Sequence, residues 1–159
     1  MTTITLQPEH AYVLACLPGM ALVNFVLGGL VGVAREKYGV RVPQLYATRG
    51  MFIDENGKVD DEKFKKNGIE FNKVQRGHQH MTETYAEALA LLLTCGLFYP
   101  KYAAQWGVSW IVGTFLYAIG YSYKPSYRVI GEVFYVPANW AWIYGIYCAA
   151  HALYYGKPI

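Results

Sequence analysis

At 159 residues the chain is about one domain long. Hydrophobic residues make up 54% of it and charged residues 16%, below the roughly 25% charged of an average soluble domain, which excludes a disordered chain, a collagen-like repeat and a charged coiled coil. The net charge of +3 is too small and too unevenly placed for a nucleic-acid binder.

Residues 11–34 form a run of 24 without Asp, Glu, Lys or Arg. A bilayer core takes about 20 mostly apolar helical residues, so a first span is predicted over 9–36. No basic stretch precedes it and it exceeds a usual leader's apolar core, so it is expected to span rather than to be a secretory signal. Pro18 lies inside it, which membrane helices tolerate better than soluble ones. Gly28 and Gly32 stand in G-x-x-x-G spacing and predict close helix contact. A polar connection follows over 39–70. In it Asp54-Glu55-Asn56-Gly57 reads as a turn. It is not a calcium loop, because with Gly57 in the sixth place Phe52 would be the first ligand. Residues 60–66 read as a solvated face or a short surface helix.

The next uncharged run, 88–100, has only 13 residues. It becomes a span, over 71–99, if the helix starts near Phe71 and carries Arg76, His80, Glu83 and Glu87 into the bilayer edge. The third span, 102–123, matches 22 uncharged residues, and the fourth, 127–155, takes most of the 24 uncharged residues from 133 to 156. Pro125 or Ser126 is a reasonable helix start. A soluble protein this small could hardly bury three such segments all round. The pattern therefore predicts an all-α integral membrane bundle of four transmembrane helices, a single domain over 1–159.

Of the 14 basic residues, ten lie between Arg35 and Arg76, and Lys124 and Arg128 flank the third connection. Lys101 and Lys157 alone lie at the other ends of the spans. The positive-inside rule then places the first and third connections in the cytosol. Cys16, Cys95 and Cys148 each fall within a span; an odd number in apolar helix describes packing residues, not a disulfide framework. No spacing suggests a metal site.

Arg76, His80, Glu83 and Glu87 are spaced 4, 3 and 4, which is one face of a helix, with Asn72 and Gln79 beside it. Ionisable groups within a membrane helix face a bundle interior or a wet cavity. One arginine with two carboxylates suits a zwitterionic ligand. Internal pairing, such as Arg76 with His80 and Glu83, is the competing reading. Tyr117 and Tyr121 share a face of the third helix, and an aromatic interface belt explains them equally well. Arg128 alone reads as a positive-inside anchor. On the expected topology, however, it shares a membrane face with the polar start of helix two.

Three segments carry a resemblance: Ala34-Arg35-Glu36-Lys37-Tyr38, FNKVQRGHQHMTETY over 71–85, and LYAIGYSYKPSYR over 116–128. With them the sequence resembles the membrane-associated proteins in eicosanoid and glutathione metabolism, and within that family the type 3 microsomal glutathione S-transferases. The resemblance implies a homotrimer with glutathione bound between subunits near the cytosolic face. It implies glutathione contacts from Arg76, Glu83, Tyr117 and Tyr121, with His80 where the family usually has Asn. Arg35, and His78 as well, would face the neighbouring subunit's site. Arg128 would sit beside the glutathione sulfur as the catalytic residue.

The implied activity is a microsomal-type glutathione transferase or peroxidase acting on an apolar electrophile or lipid hydroperoxide, with leukotriene C synthase activity among the possibilities. Glutathione is the co-substrate, no metal is expected, and the endoplasmic reticulum is the implied membrane. Two other readings stand beside it. One is a non-catalytic lipid-binding protein of the same fold, like the five-lipoxygenase-activating protein. The other is a small transporter or channel subunit using the helix-two charges as an ion path.

Overall fold

The computed structural model describes residues 5–158. Four long helices dominate: α1 (His10–Tyr38), α2 (Ile69–Phe98), α3 (Pro100–Tyr123) and α4 (Val129–Tyr154). Each boundary has a local cause. α1 stops at Gly39, whose φ of 71° places it in the left-handed region, and the Gly39 amide donates to the Arg35 carbonyl. α2 and α3 are divided at Tyr99, and Pro100 opens α3 where its missing N–H costs nothing. α4 follows a 3-10 turn over Pro125–Arg128.

α3 lies at the centre of the packing, against α4, α2 and α1, and α1 also packs on α2. The main core holds Met20, Met81, Leu92, Cys95, Trp110 and Trp142, all fully buried. The Trp142 indole donates to the Ala103 carbonyl at 3.0 Å and the Tyr102 hydroxyl to the Ala141 carbonyl at 3.1 Å, tying α3 to α4. The three cysteines are free thiols, and Cys16 and Cys95 are buried.

Two glycines set the helix spacing around the site. A β-carbon on Gly77 of α2 would lie 3.0 Å from the Ala118 backbone of α3. One on Gly131 of α4 would run into the Gly113 carbonyl oxygen and the Tyr117 backbone. The G-x-x-x-G pair of α1 behaves differently. Gly28 lies against the His78 ring, 3.5 Å from where a β-carbon would stand, whereas Gly32 has nothing within 4 Å. Within this chain the spacing therefore makes one ordinary contact, to a side chain, and not the close helix contact expected of it.

The connection from α1 to α2 is more ordered than its polarity suggests. Val40, Ala47 and Phe52 are buried with Val31, Ala34 and Phe71 in a second small core. Asp54 forms the expected turn, its Oδ1 accepting from the Asn56 and Lys58 amides at 2.9 and 2.8 Å, with Gly57 at φ 75°. Asp60 accepts from the Lys63 amide at 2.8 Å and so caps a short helical turn, Asp61–Lys63. A π-helical stretch, Phe64–Gly68, leads from it into α2. Arg49 forks onto Asp61 and holds its carboxyl below the usual carboxylate range. Both groups are solvated, so the pair adds little stability.

Among the described residues α1 is the one helix that is by itself long and apolar enough to cross a membrane. α3 and α4 each carry one charged residue, Lys101 and Glu132, fewer than the three of α1, but their tyrosines and tryptophans lower their hydropathy. The outer surface is nonetheless apolar. Leu22 and Phe25 of α1, Val108 of α3, and Val133, Trp140 and Tyr147 of α4 are all exposed, a distribution that marks a face for lipid or for further protein.

Gly131→Ala is expected to destabilise the fold by about 1–3 kcal/mol, because neither backbone it meets can move aside without disturbing α3. Gly50→Ala, with open space around it and no positive φ, should stay within about 0.5 kcal/mol of wild type. Thermal melting of the detergent-solubilised protein compares the two; equal midpoints would show that the α3–α4 approach is not needed for stability.

Candidate functional site

Arg76, Gln79, His80 and Glu83 share one face of α2 through their 3.6-residue spacing. Arg76 Nη1 donates to Glu83 Oε2 at 2.8 Å. Gln79 Nε2 donates to Glu83 Oε1 at 3.0 Å. The internal pair weighed from the sequence therefore exists, between Arg76 and Glu83 and without His80. It does not exhaust either partner. A guanidinium has five N–H donors, and each carboxylate oxygen has two lone pairs. Both side chains are partly open to solvent, 34% for Arg76 and 47% for Glu83, so the pair presents one positive and one negative group at the same place.

The connection forms a wall over this face. Asn72 grips the Ala47 backbone twice: the Ala47 amide donates to Asn72 Oδ1 at 2.7 Å and Asn72 Nδ2 donates to the Ala47 carbonyl at 3.0 Å. The adjacent Tyr46 is thereby set over α2, where its hydroxyl donates to Gln79 Oε1 at 2.5 Å. Burial pushes the Tyr46 phenol above its ordinary value, more than the Arg76 charge lowers it, so at neutral pH it is a donor. Tyr46, Asn72, Lys73, Arg76, Tyr121 and Pro125 line a cleft of about 380 Å3, together with Ile69. Three separate parts of the chain meet there: the connection, the start of α2 and the end of α3.

On the other side of Arg76 lies an aromatic cluster. The His80 ring stacks on Tyr117 with centroids 3.9 Å apart and planes 28° apart. Tyr135 of α4 closes on both, at 5.2 Å from His80 and 5.9 Å from Tyr117. Tyr121 continues the row 6.0 Å from Tyr117. His80 Nε2 is buried without a hydrogen-bond partner. Arg128 stands at the α3–α4 corner, half exposed, with Nε 3.3 Å from Glu132 Oε1.

The structure thus brings Arg76, His80, Glu83, Tyr117 and Tyr121 into one region, with Arg128 at its edge. It does not bring Arg35 or His78 there. Arg35 donates from Nη1 to the Gln44 carbonyl at 2.8 Å and lies over the Phe71 ring at 5.1 Å. His78, two residues from Arg76, points about 200° around α2 and packs on Gly28 of α1. Neither touches the Arg76–Glu83 pair of its own chain. Sequence reasoning did not single out Tyr46, Tyr135 or Glu132, and it gave Asn72 and Gln79 no role. The helical period flagged Asn72 and Gln79 as neighbours of the stripe, but Tyr46 reaches it only through tertiary folding. Among the described residues no three His, Cys, Asp or Glu side chains gather as metal ligands would.

A family model described as the MAPEG family matches residues 13–155, nearly the whole chain.

Tyr117→Leu removes the ring on which His80 stacks and which Tyr135 meets edge-on. At about 0.5–1.5 kcal/mol for each ring pair beyond simple burial, the variant should lose roughly 1–3 kcal/mol. Tyr135→Phe keeps all rings and should melt near the wild type. An unshifted midpoint for Tyr117→Leu would mean that the cluster does not hold α2, α3 and α4 together.

Proposed function

The chain belongs to the MAPEG family, whose members are membrane-associated, and from that premise we propose that it is a membrane-bound glutathione transferase. The observation that carries the reading is Arg76, paired with the half-exposed Glu83 and lining a cleft walled by Tyr46 and Tyr121. Glutathione is a zwitterion with two carboxylates, one ammonium and a thiol. Arg76 offers planar paired donors for a carboxylate, and Glu83 offers an acceptor for the ammonium. Tyr117 and Tyr121 offer hydroxyls for the peptide or the sulfur.

Arg128 supplies the remaining chemical need. A free thiol ionises near pH 8.5, and only the thiolate is an effective nucleophile. A guanidinium keeps its charge at all relevant pH, and held beside the sulfur it favours the ionised form. The thiol proton then leaves to water. With an epoxide, the sulfur–carbon bond forms as the carbon–oxygen bond breaks, and the alkoxide takes a proton from water. With a lipid hydroperoxide, sulfur takes the terminal oxygen, the lipid leaves as its alcohol, and a second glutathione reduces the sulfenic acid to the disulfide. The apolar outer faces suit an electrophile that arrives from the lipid.

Arg35 and His78 fit this reading as residues offered to a neighbouring copy in a homotrimer, with the first and third connections cytosolic and the endoplasmic reticulum as the membrane. Family membership is equally compatible with a non-catalytic lipid-binding protein, and glutathione binding separates the two.

Titration calorimetry of the detergent-purified protein with glutathione should show binding, weakened about 10- to 100-fold in Arg76→Leu and in Glu83→Gln, as expected when a charged hydrogen-bond partner is lost. No binding by the unsubstituted protein would move the lipid-binding reading to first place. Arg128→Leu should bind glutathione within about threefold of wild type while turnover falls at least tenfold, a loss of about 1.4 kcal/mol or more in transition-state stabilisation. Unchanged turnover would remove Arg128 from the chemistry.

A further inference from the structure

Tyr46 stands at the candidate site although no helix carries it. We propose that Tyr46 is a positioning residue that orders Gln79, and through it the Glu83 carboxylate, to receive the ammonium of the bound thiol ligand. This rests on the glutathione reading and specifies which group of the ligand the device serves.

The device is a closed circuit that begins and ends on α2. Asn72 binds both polar groups of the Ala47 backbone, at 2.7 and 3.0 Å. That clamp fixes the chain direction at Tyr46, whose hydroxyl donates to Gln79 Oε1 at 2.5 Å. A primary amide has one acceptor end and one donor end. With its oxygen engaged by Tyr46, Gln79 must turn its NH2 toward Glu83, and it does so, reaching Oε1 at 3.0 Å. Arg76 holds the other oxygen, Oε2, at 2.8 Å. Both oxygens of Glu83 are thus held in place, and each retains a lone pair for an incoming cation. Arg76 and Gln79 lie four and seven residues from Asn72 and project from the same side of α2 as the clamp, so the connection and the carboxylate are registered on one rigid element.

Removing the Tyr46 proton breaks the circuit where the connection meets Gln79. Gln79 is then free to rotate, and half of its orientations set its carbonyl oxygen against the Glu83 carboxylate. Tyr46→Phe keeps the ring that walls the cleft and removes the hydroxyl alone. The cost falls on a ligand that presents an ammonium to Glu83 and not on one that lacks it, whereas a merely structural role would weaken both alike.

Titration calorimetry of the full-length protein in detergent tests this with two ligands: glutathione, and the analogue in which hydrogen replaces the ammonium. The expected result is a five- to tenfold rise in the glutathione Kd in Tyr46→Phe, with the analogue's Kd within twofold of its wild-type value. Gln79→Leu, which removes the relay and leaves Tyr46, should show the same selectivity and serves if Tyr46→Phe does not fold. Equal Kd values for glutathione in variant and wild type, or equal losses for both ligands, would overturn the proposal while leaving glutathione binding itself established. No binding of glutathione by the unsubstituted protein would overturn both readings together.

Discussion

The ion pair between Arg76 and Glu83, two helical turns apart on α2, is the interaction around which the rest of the site is arranged. A lone arginine at the end of a membrane helix would be an anchor, and a lone glutamate a cost. Side by side they neutralise each other and still offer opposite charges to a ligand that carries both. Pairing inside the protein and binding of a zwitterion are therefore not alternatives, because the first holds the groups ready for the second. Gln79 and Tyr46 extend the pair toward the connection. His80 and Tyr117 flank it on the side of α3 and α4.

That arrangement depends on how closely the helices approach. Gly77 lets α2 settle onto Ala118, and Gly131 lets α4 settle onto Gly113 and Tyr117. Tyr117 thus sits where α2, α3 and α4 converge, and His80 can lie flat on its ring. The connection is held by different means. Buried Phe52, Val40 and Ala47 anchor it to the ends of α1 and α2, and the Asn72 clamp sets its register. A segment that is polar in composition thereby becomes one wall of the cleft.

Much of this was readable before the structure. The absence of charge over 11–34, 102–123 and 133–156 announces long helices, since few other structures use such runs. The 4-3-4 spacing of Arg76, His80, Glu83 and Glu87 places them on one face, and Arg76 and Glu83 meet as that face allows. Spacing could not decide which of several partners a charge would choose. His80 went to an aromatic stack and not to Arg76, because rings on two other helices converge there. It could not show that His78 faces α1, or that Arg35 turns back to the Gln44 carbonyl of its own connection. Tyr46 was beyond reach for a plainer reason: its place is fixed by Asn72, 26 residues away, through a contact that no local pattern encodes. Gly32 shows the converse, a motif with the right spacing and no neighbour in its own chain.

The most direct measurement is the ultraviolet difference spectrum of the thiolate, recorded when glutathione is added near neutral pH to the detergent-purified protein, with Arg128→Leu alongside. A thiolate band in the wild type that the variant lacks is expected if the Arg76–Glu83 pair holds the peptide and Arg128 holds the sulfur in its charged form. A wild type that binds glutathione without producing the band, or a variant whose band is undiminished, would contradict it.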